Sequence, residues 1–166
     1  DVTSLALPVF NYPFGSSKEL DWGTFIYLIG YPSGQKMVTK GIVSSPNKDK
    51  SGSFLTDAPF NHGFSGGIVL AIRDGVPNFE LVGIANSVAS QSDYYLVPAK
   101  EIEESEFAPD IPYLGDMYVR LKTDIKYGVT HVISSESIAD FLKKNEKRLL
   151  DKGYDLGTLF NHALKP

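Results

Sequence analysis

"DAPFNHGFSGGIVL", residues 57–70, decides how this chain is read. One serine stands among Gly63, Gly66 and Gly67, and the chain then runs at once into Ile68-Val69-Leu70. A serine hydroxyl becomes a useful nucleophile only when a base takes its proton and donors stabilise the oxyanion that forms. Glycine serves the second need, because without a Cβ Gly63 can take backbone angles that aim its N–H beside that of Ser65. Gly66 and Gly67 keep the space around the hydroxyl clear. The pattern G-x-S-x-G has two readings. An esterase-type elbow places the serine between a strand and a helix. Here "GGIVLAI" is β-branched and ends at a turn, and the preceding "PFNHG" is no strand. The serine therefore sits on a turn that feeds a strand.

The surroundings agree. "TSLALPV", "TFIYLIGY" (24–31), "MVTKGIVSS" (37–45), "GSFLTDA" (52–58), "GGIVLAI" (66–72) and "FELVGIANSVA" (79–89) read as strands separated by Gly, Pro, Asn and Asp turns. "NKDKSGS" (47–53) and "RDGVPN" (73–78) are hairpin turns on this reading, the second supported by Asp74-Gly75. Short strands without intervening helical pattern predict an antiparallel barrel or sandwich rather than βαβ units. Residues 99–116 change character: Glu101, Glu103, Glu104, Glu106 and Asp110 make the segment acidic, and with Pro109 and Pro112 they predict a surface excursion. "YVRLKTD" (118–124) and "GVTHVIS" (128–134) return to strand pattern, joined on this reading by a turn at Ile125-Lys126-Tyr127. One helix is predicted over 135–152. Ser134 or Ser135 caps it, and Ile138, Phe141, Leu142, Leu149 and Leu150 form its apolar stripe. Its C-terminal lysines suit the helix dipole and a solvated face more than an anionic partner.

Bulk composition sets the limits. A length of 166 residues suits one domain, 1–166, and 42% hydrophobic with 22% charged residues leaves no case for wholesale disorder. A net charge of −4 argues against nucleic acid, whose phosphates need clustered Lys and Arg. No apolar run approaches the roughly 18 residues of a membrane span. "DVTSLALPVF" lacks the basic region of a signal peptide. Zero cysteines exclude disulfides, thiol chemistry and thiolate metal sites, and leave the compartment open.

Five segments in order resemble the trypsin-like serine peptidases, most closely their bacterial Deg/HtrA-like branch. "DVTSLAL" is similar to the strand that opens with the catalytic aspartate, and "YLIGYPSGQKMVTKGIVSS" to the family's "IGxPxGxxxxVTxGIVS". "LTDAPFNHGFSGGIVL" resembles "QTDAxINPGNSGGPL" around the nucleophile. "ELVGIANSV" is similar to the strand that pairs with bound peptide, and "YGVTHVISSESIADFL" to the closing strand and helix. The resemblance implies a mainly β fold: the six-stranded antiparallel second barrel of a chymotrypsin-like double barrel, with a C-terminal helix. It implies Ser65 as nucleophile, Asp1 as the carboxylate orienting the base, and the N–H groups of Gly63 and Ser65 as oxyanion hole. Asn86, Ser87 and Val88 would take substrate backbone by strand addition. Ala58, Pro59, Phe60 and Thr130 would shape the specificity pocket. With no acid at its floor, that pocket implies a small or apolar side chain before the cleaved bond. It also implies a peptide or protein substrate, no cofactor or metal, and a periplasmic or extracellular setting.

The pattern departs in one respect that matters. The family's catalytic histidine precedes the aspartate on the first barrel, and this chain opens at the aspartate. His62, three residues before Ser65, reads as pocket rim or turn support, His131 as a packed strand residue with a pocket role as the alternative, and His162 as exposed tail. Two readings stay open: a serine endopeptidase whose base lies on an N-terminal barrel of the same protein, this chain alone being inert, or a non-catalytic relative that keeps the fold to bind peptides. Phe64 before the serine and Ile68 after Gly67 are lesser departures.

Overall fold

A computed structural model of the chain describes residues 12–72, 75, 78–99, 109–154 and 156. The expectations resting on Asp1, "TSLALPV", Asp74 and His162 lie outside the described residues. Six strands carry the fold: β1 (Phe25–Gly30), β2 (Met37–Ser45), β3 (Phe54–Thr56), β4 (Ile68–Ile72), β5 (Phe79–Pro98) and β6 (Met117–Ser134). They close into a barrel in the order β1-β2-β3-β6-β5-β4. The mainly β, six-stranded antiparallel fold expected from the sequence is the one observed.

The barrel forms because alternate residues are apolar and one set can be sealed inside. In β1, Ile26, Leu28 and Gly30 face inward while their neighbours do not. Pairing sets the register: Leu28 lies opposite Thr39 of β2 and Val69 of β4, and Phe54 of β3 opposite Val132 of β6. Ile26, Leu28, Val43, Phe54, Val69 and Val82 are all buried in the interior. A six-stranded barrel is narrow enough for side chains to fill it. Gly83 lets β5 approach β6 closely, since a Cβ there would meet the Ile133 carbonyl. The 47–53 turn is built as its sequence suggests. Asp49 Oδ1 accepts from the N–H of Ser51 and of Ser53, and Gly52 takes φ +80.

Two expectations are corrected. No turn interrupts 125–127: β6 runs unbroken for 18 residues, and the bend signal is only Gly128 at φ +84 inside it. β5 likewise continues to Pro98, so the two long strands leave the barrel residues at Val88 and rejoin them at Tyr127. Residues 89–126 make a separate compact unit, a two-stranded ribbon closed by the Ala99 N–H on the Asp116 carbonyl at 2.8 Å. The helix, expected over 135–152, is two pieces, α1 (Ser135–Lys144) and α2 (Glu146–Leu150). Asn145 breaks it at φ −106, ψ 9, with its side-chain amide donating to the Phe141 carbonyl. Phe141 and Leu150 of the expected apolar stripe are exposed. Ser134 is the cap, accepting from the Ser137 N–H at 3.1 Å.

Polar contacts tie the start of α1 to the rest. Glu136 accepts from Ser16 Oγ at 2.8 Å, from Ser17 Oγ, and from Ser135 Oγ at 3.1 Å. Burial pushes this carboxyl's pKa up, but the Ser17, Ser16 and Ser135 hydroxyls and its own backbone N–H outweigh burial and hold it below the ordinary 4.5. His131 is held below the ordinary 6.5 by partial burial and then by Lys48, whose Nζ lies 3.4 Å from Nδ1.

Unfolding lets both groups take up a proton at their ordinary values. The contribution of His131 is therefore full above pH 6.5 and that of Glu136 full above pH 4.5, each declining as the pH falls through its lower folded value. The melting temperature should fall on acidification in both windows. Glu136→Gln should flatten the more acidic one while lowering stability at neutral pH by about 1–2 kcal/mol. An unchanged acid profile in that variant would rule out the role given to this carboxylate.

Candidate active site

The turn between β3 and β4 is fixed from three sides. Beneath it, Phe64 is buried and its ring lies 6.4 Å from that of Phe60, so the residue before the serine anchors the turn in the core. This accounts for the large side chain where the sequence pattern favours a small one. On the β1 side, the Tyr31 N–H donates to the Gly63 carbonyl at 3.0 Å. On the β5 side, the Gly66 N–H donates to Ala85 O at 2.7 Å and the Ala85 N–H to Gly67 O at 2.8 Å.

Glycine is required at position 63 on two counts. Its φ is +100, where a Cβ is strained, and a Cβ there would stand 2.5 Å from Pro32 Cα and from the Tyr31 carbonyl. The turn thus presents Ser65 as an exposed residue at the surface. Its Oγ donates to the Asn86 carbonyl at 3.0 Å. Among the described residues, no hydrogen bond occupies the N–H of Gly63 or of Ser65.

A cleft of about 650 Å³ opens at this point, lined by Gly63, Ser65, Gly66 and Gly67 on one wall and Ile29, Gly30, Tyr31 and Lys36 on the other, with Tyr12 and Ile68. Sequence reasoning placed Ser65 and Gly63 here but missed the opposite wall. The signal was available: "GYPSGQK" brings a tight turn, with Ser33 at φ +54 and Gly34 at φ +76, directly off the end of β1.

The other predicted residues divide. Asn86 meets Ser65 through its carbonyl. The β4–β5 ladder ends at Ile68 opposite Ile84, so Ser87 and Val88 lie just past it, Ser87 exposed and Val88 partly buried. Pro59 is exposed and Phe60 is packed in the core. Ala58 and Thr130 require a correction. Both are fully buried, and the Thr130 hydroxyl donates to the Ala58 carbonyl at 2.9 Å while the Ala58 N–H bonds Thr56 Oγ1. They belong to the core wall beneath the turn, because threonine satisfies its hydroxyl on buried backbone and leaves nothing for a ligand. His62 is exposed on the turn, and His131 contacts Lys48 of the turn between β2 and β3. Neither described histidine bonds Ser65.

The turn, its serine and its strand context define a class. The trypsin-like peptidase domain matches residues 2–84, half of the 166-residue chain, and the chain belongs to that family. Solved structures extend the likeness of fold. A variant of the HtrA-type protease AlgW with a tripeptide matches at 17% identity and a TM-score of 0.51, over 84% of this chain and 38% of that one. The HtrA-type protease AlgW with a decapeptide matches at 17% identity and a TM-score of 0.52, over 84% of this chain and 35% of that one. The chain thus spans little more than a third of the length of these structures. Among curated proteins the sequence has no significant match.

Truncating the anchor should loosen the whole turn. Phe64→Ala is expected to lower stability by about 3–5 kcal/mol in denaturant unfolding. Gly63→Ala should lower it by about 2 kcal/mol, from the positive φ and the close backbone together. A Gly63→Ala protein as stable as the parent would contradict the packing described.

Proposed function

We propose that Ser65 is the nucleophile of a serine endopeptidase, and that these residues form its second barrel. The observation that carries this reading is the exposed Ser65 on a turn held by a positive-φ Gly63, beside two amides that bond no described residue and an open cleft. Attack of the hydroxyl on a peptide carbonyl would give a tetrahedral oxyanion, which the Gly63 and Ser65 N–H groups stabilise. Collapse expels the amine and leaves an acyl-enzyme on Ser65, which water then hydrolyses. Substrate backbone adds along β5 at Asn86, Ser87 and Val88, next to the point where its pairing with β4 stops, with Pro59 and Phe60 near the side chain before the cleaved bond.

The base is a histidine on a preceding barrel of the same protein, oriented by Asp1. No imidazole among the described residues bonds Ser65, and the serine hydroxyl donates instead to the Asn86 carbonyl. That same contact favours the second reading, a relative that binds peptides without cleaving them.

A fluorophosphonate probe separates the two. In the protein with its preceding barrel, labelling should map to Ser65 and vanish in Ser65→Ala. The 166-residue chain by itself should react slower by about 10⁴-fold or more, the scale on which a missing triad member acts. Labelling that survives Ser65→Ala would sink the assignment. No labelling in the larger protein, with peptide binding retained, would leave the binding module.

A further inference from the structure

Residues 89–98 of β5 and 117–126 of β6 form a ribbon in which no described residue is buried. Side chains of each strand alternate between its two faces, and two contacts fix which positions share a face. The hydroxyls of Ser92 and Thr123 bond at 2.8 Å, joining the even positions of β5 to the odd positions of β6. On the other side, Lys122 Nζ pairs with Asp124 at 3.0 Å. The hydrogen bond and charge of Asp124, with further help from Tyr95 and Asp93, raise the pKa of that ammonium. One face therefore carries Asp93, Arg120, Lys122, Asp124 and Lys126 together with Tyr95, Val97 and Tyr118. The other carries Tyr94 and Leu96 with Met117, Val119 and Leu121, each between 45% and 77% exposed.

We propose that this apolar face is a homodimer interface, with the ribbon of one chain packed face to face on the ribbon of a second copy. Charge favours this occupant. A two-fold axis brings a patch against a copy of itself, so a patch carrying charges of one sign would repel its copy. This face has none, in a chain whose net charge is −4 and whose opposite ribbon face is densely ionic. A charged partner would find nothing here to pair with.

Area points the same way. The five large side chains offer on the order of 600 Å² per copy, and with the hydroxyl rim of Ser92 and Thr123 the face nears the ~800 Å² per partner of stable complexes. A lone two-stranded ribbon is marginal in water, whereas two apposed ribbons make a layered sandwich with a core.

Sedimentation equilibrium from about 1 to about 100 µM decides it. The chain should pass from monomer to dimer across that range. Val119→Lys combined with Leu121→Lys should weaken dimerisation by about 100-fold, while Lys122→Glu on the ionic face should leave it unchanged. A parent chain that stays monomeric throughout, or a Lys122→Glu chain that dissociates as readily as the double variant, overturns the proposal. Should the double variant lose its strand circular dichroism, cross-linking replaces it. The chain contains no cysteine, so a short bis-maleimide should join copies bearing Leu121→Cys and leave those bearing Lys122→Cys apart. Equal joining of the two, or none of either, overturns it as well.

Discussion

Backbone lies directly on backbone where β1 ends and the serine turn begins, and the site depends on that contact. The Tyr31 N–H reaches the Gly63 carbonyl at 3.0 Å because Gly63 has no Cβ to strike the Tyr31 carbonyl and Pro32. A Cβ at Gly67 would stand 2.5 Å from the Ile29 carbonyl, and one at Gly30 would meet Phe64 from 2.7 Å. Three glycines thus let two loops share a wall. Phe64 then supplies the downward pull by filling the core. Exposure of Ser65 follows from burial of its neighbour: one residue of the turn is sunk so that the next is raised.

The barrel was legible from short β-branched and apolar runs bounded by Gly, Pro, Asn and Asp turns, with clear alternation of burial in β1. "FIYLIG" and "MVTKGIVSS" match β1 and β2 closely, and the glycine-serine turn announced itself through residues that few other settings require. What escaped was set by partners distant in sequence. Nothing local in "YLVP" or "MYVRLKTDIKYG" says that both strands will run on so far, and Ile125-Lys126-Tyr127 before Gly128 imitates a turn while β6 runs through it. The Asn145 break is of the same kind, since its side chain competes with the helix for the Phe141 carbonyl. Ala58 and Thr130 were misplaced for another reason. The resemblance put both at the pocket, and only the packing shows that Thr130 donates its hydroxyl to the buried Ala58 carbonyl.

The histidines illustrate how far chemistry can be inferred from residue type alone. His62 is near Ser65 in sequence and His131 lies in a strand of the same barrel, yet the first is exposed on the turn and the second is turned to Lys48. Proximity along the chain did not produce a dyad. The serine's hydrogen bond runs instead to the Asn86 carbonyl, an acceptor that orients the hydroxyl without drawing off its proton.

The Glu136 cluster has a meaning in time as well as in space. Its bond to Ser17 joins positions 119 residues apart. Closing a loop of that length has an entropic cost of roughly 4 kcal/mol beyond the constant for any loop. A few hydrogen bonds between serines and a carboxylate do not offset this by themselves, so they form once the intervening strands have already brought the two segments together. The latch that joins the first described turn to the first helix therefore closes behind the barrel and takes no part in starting it.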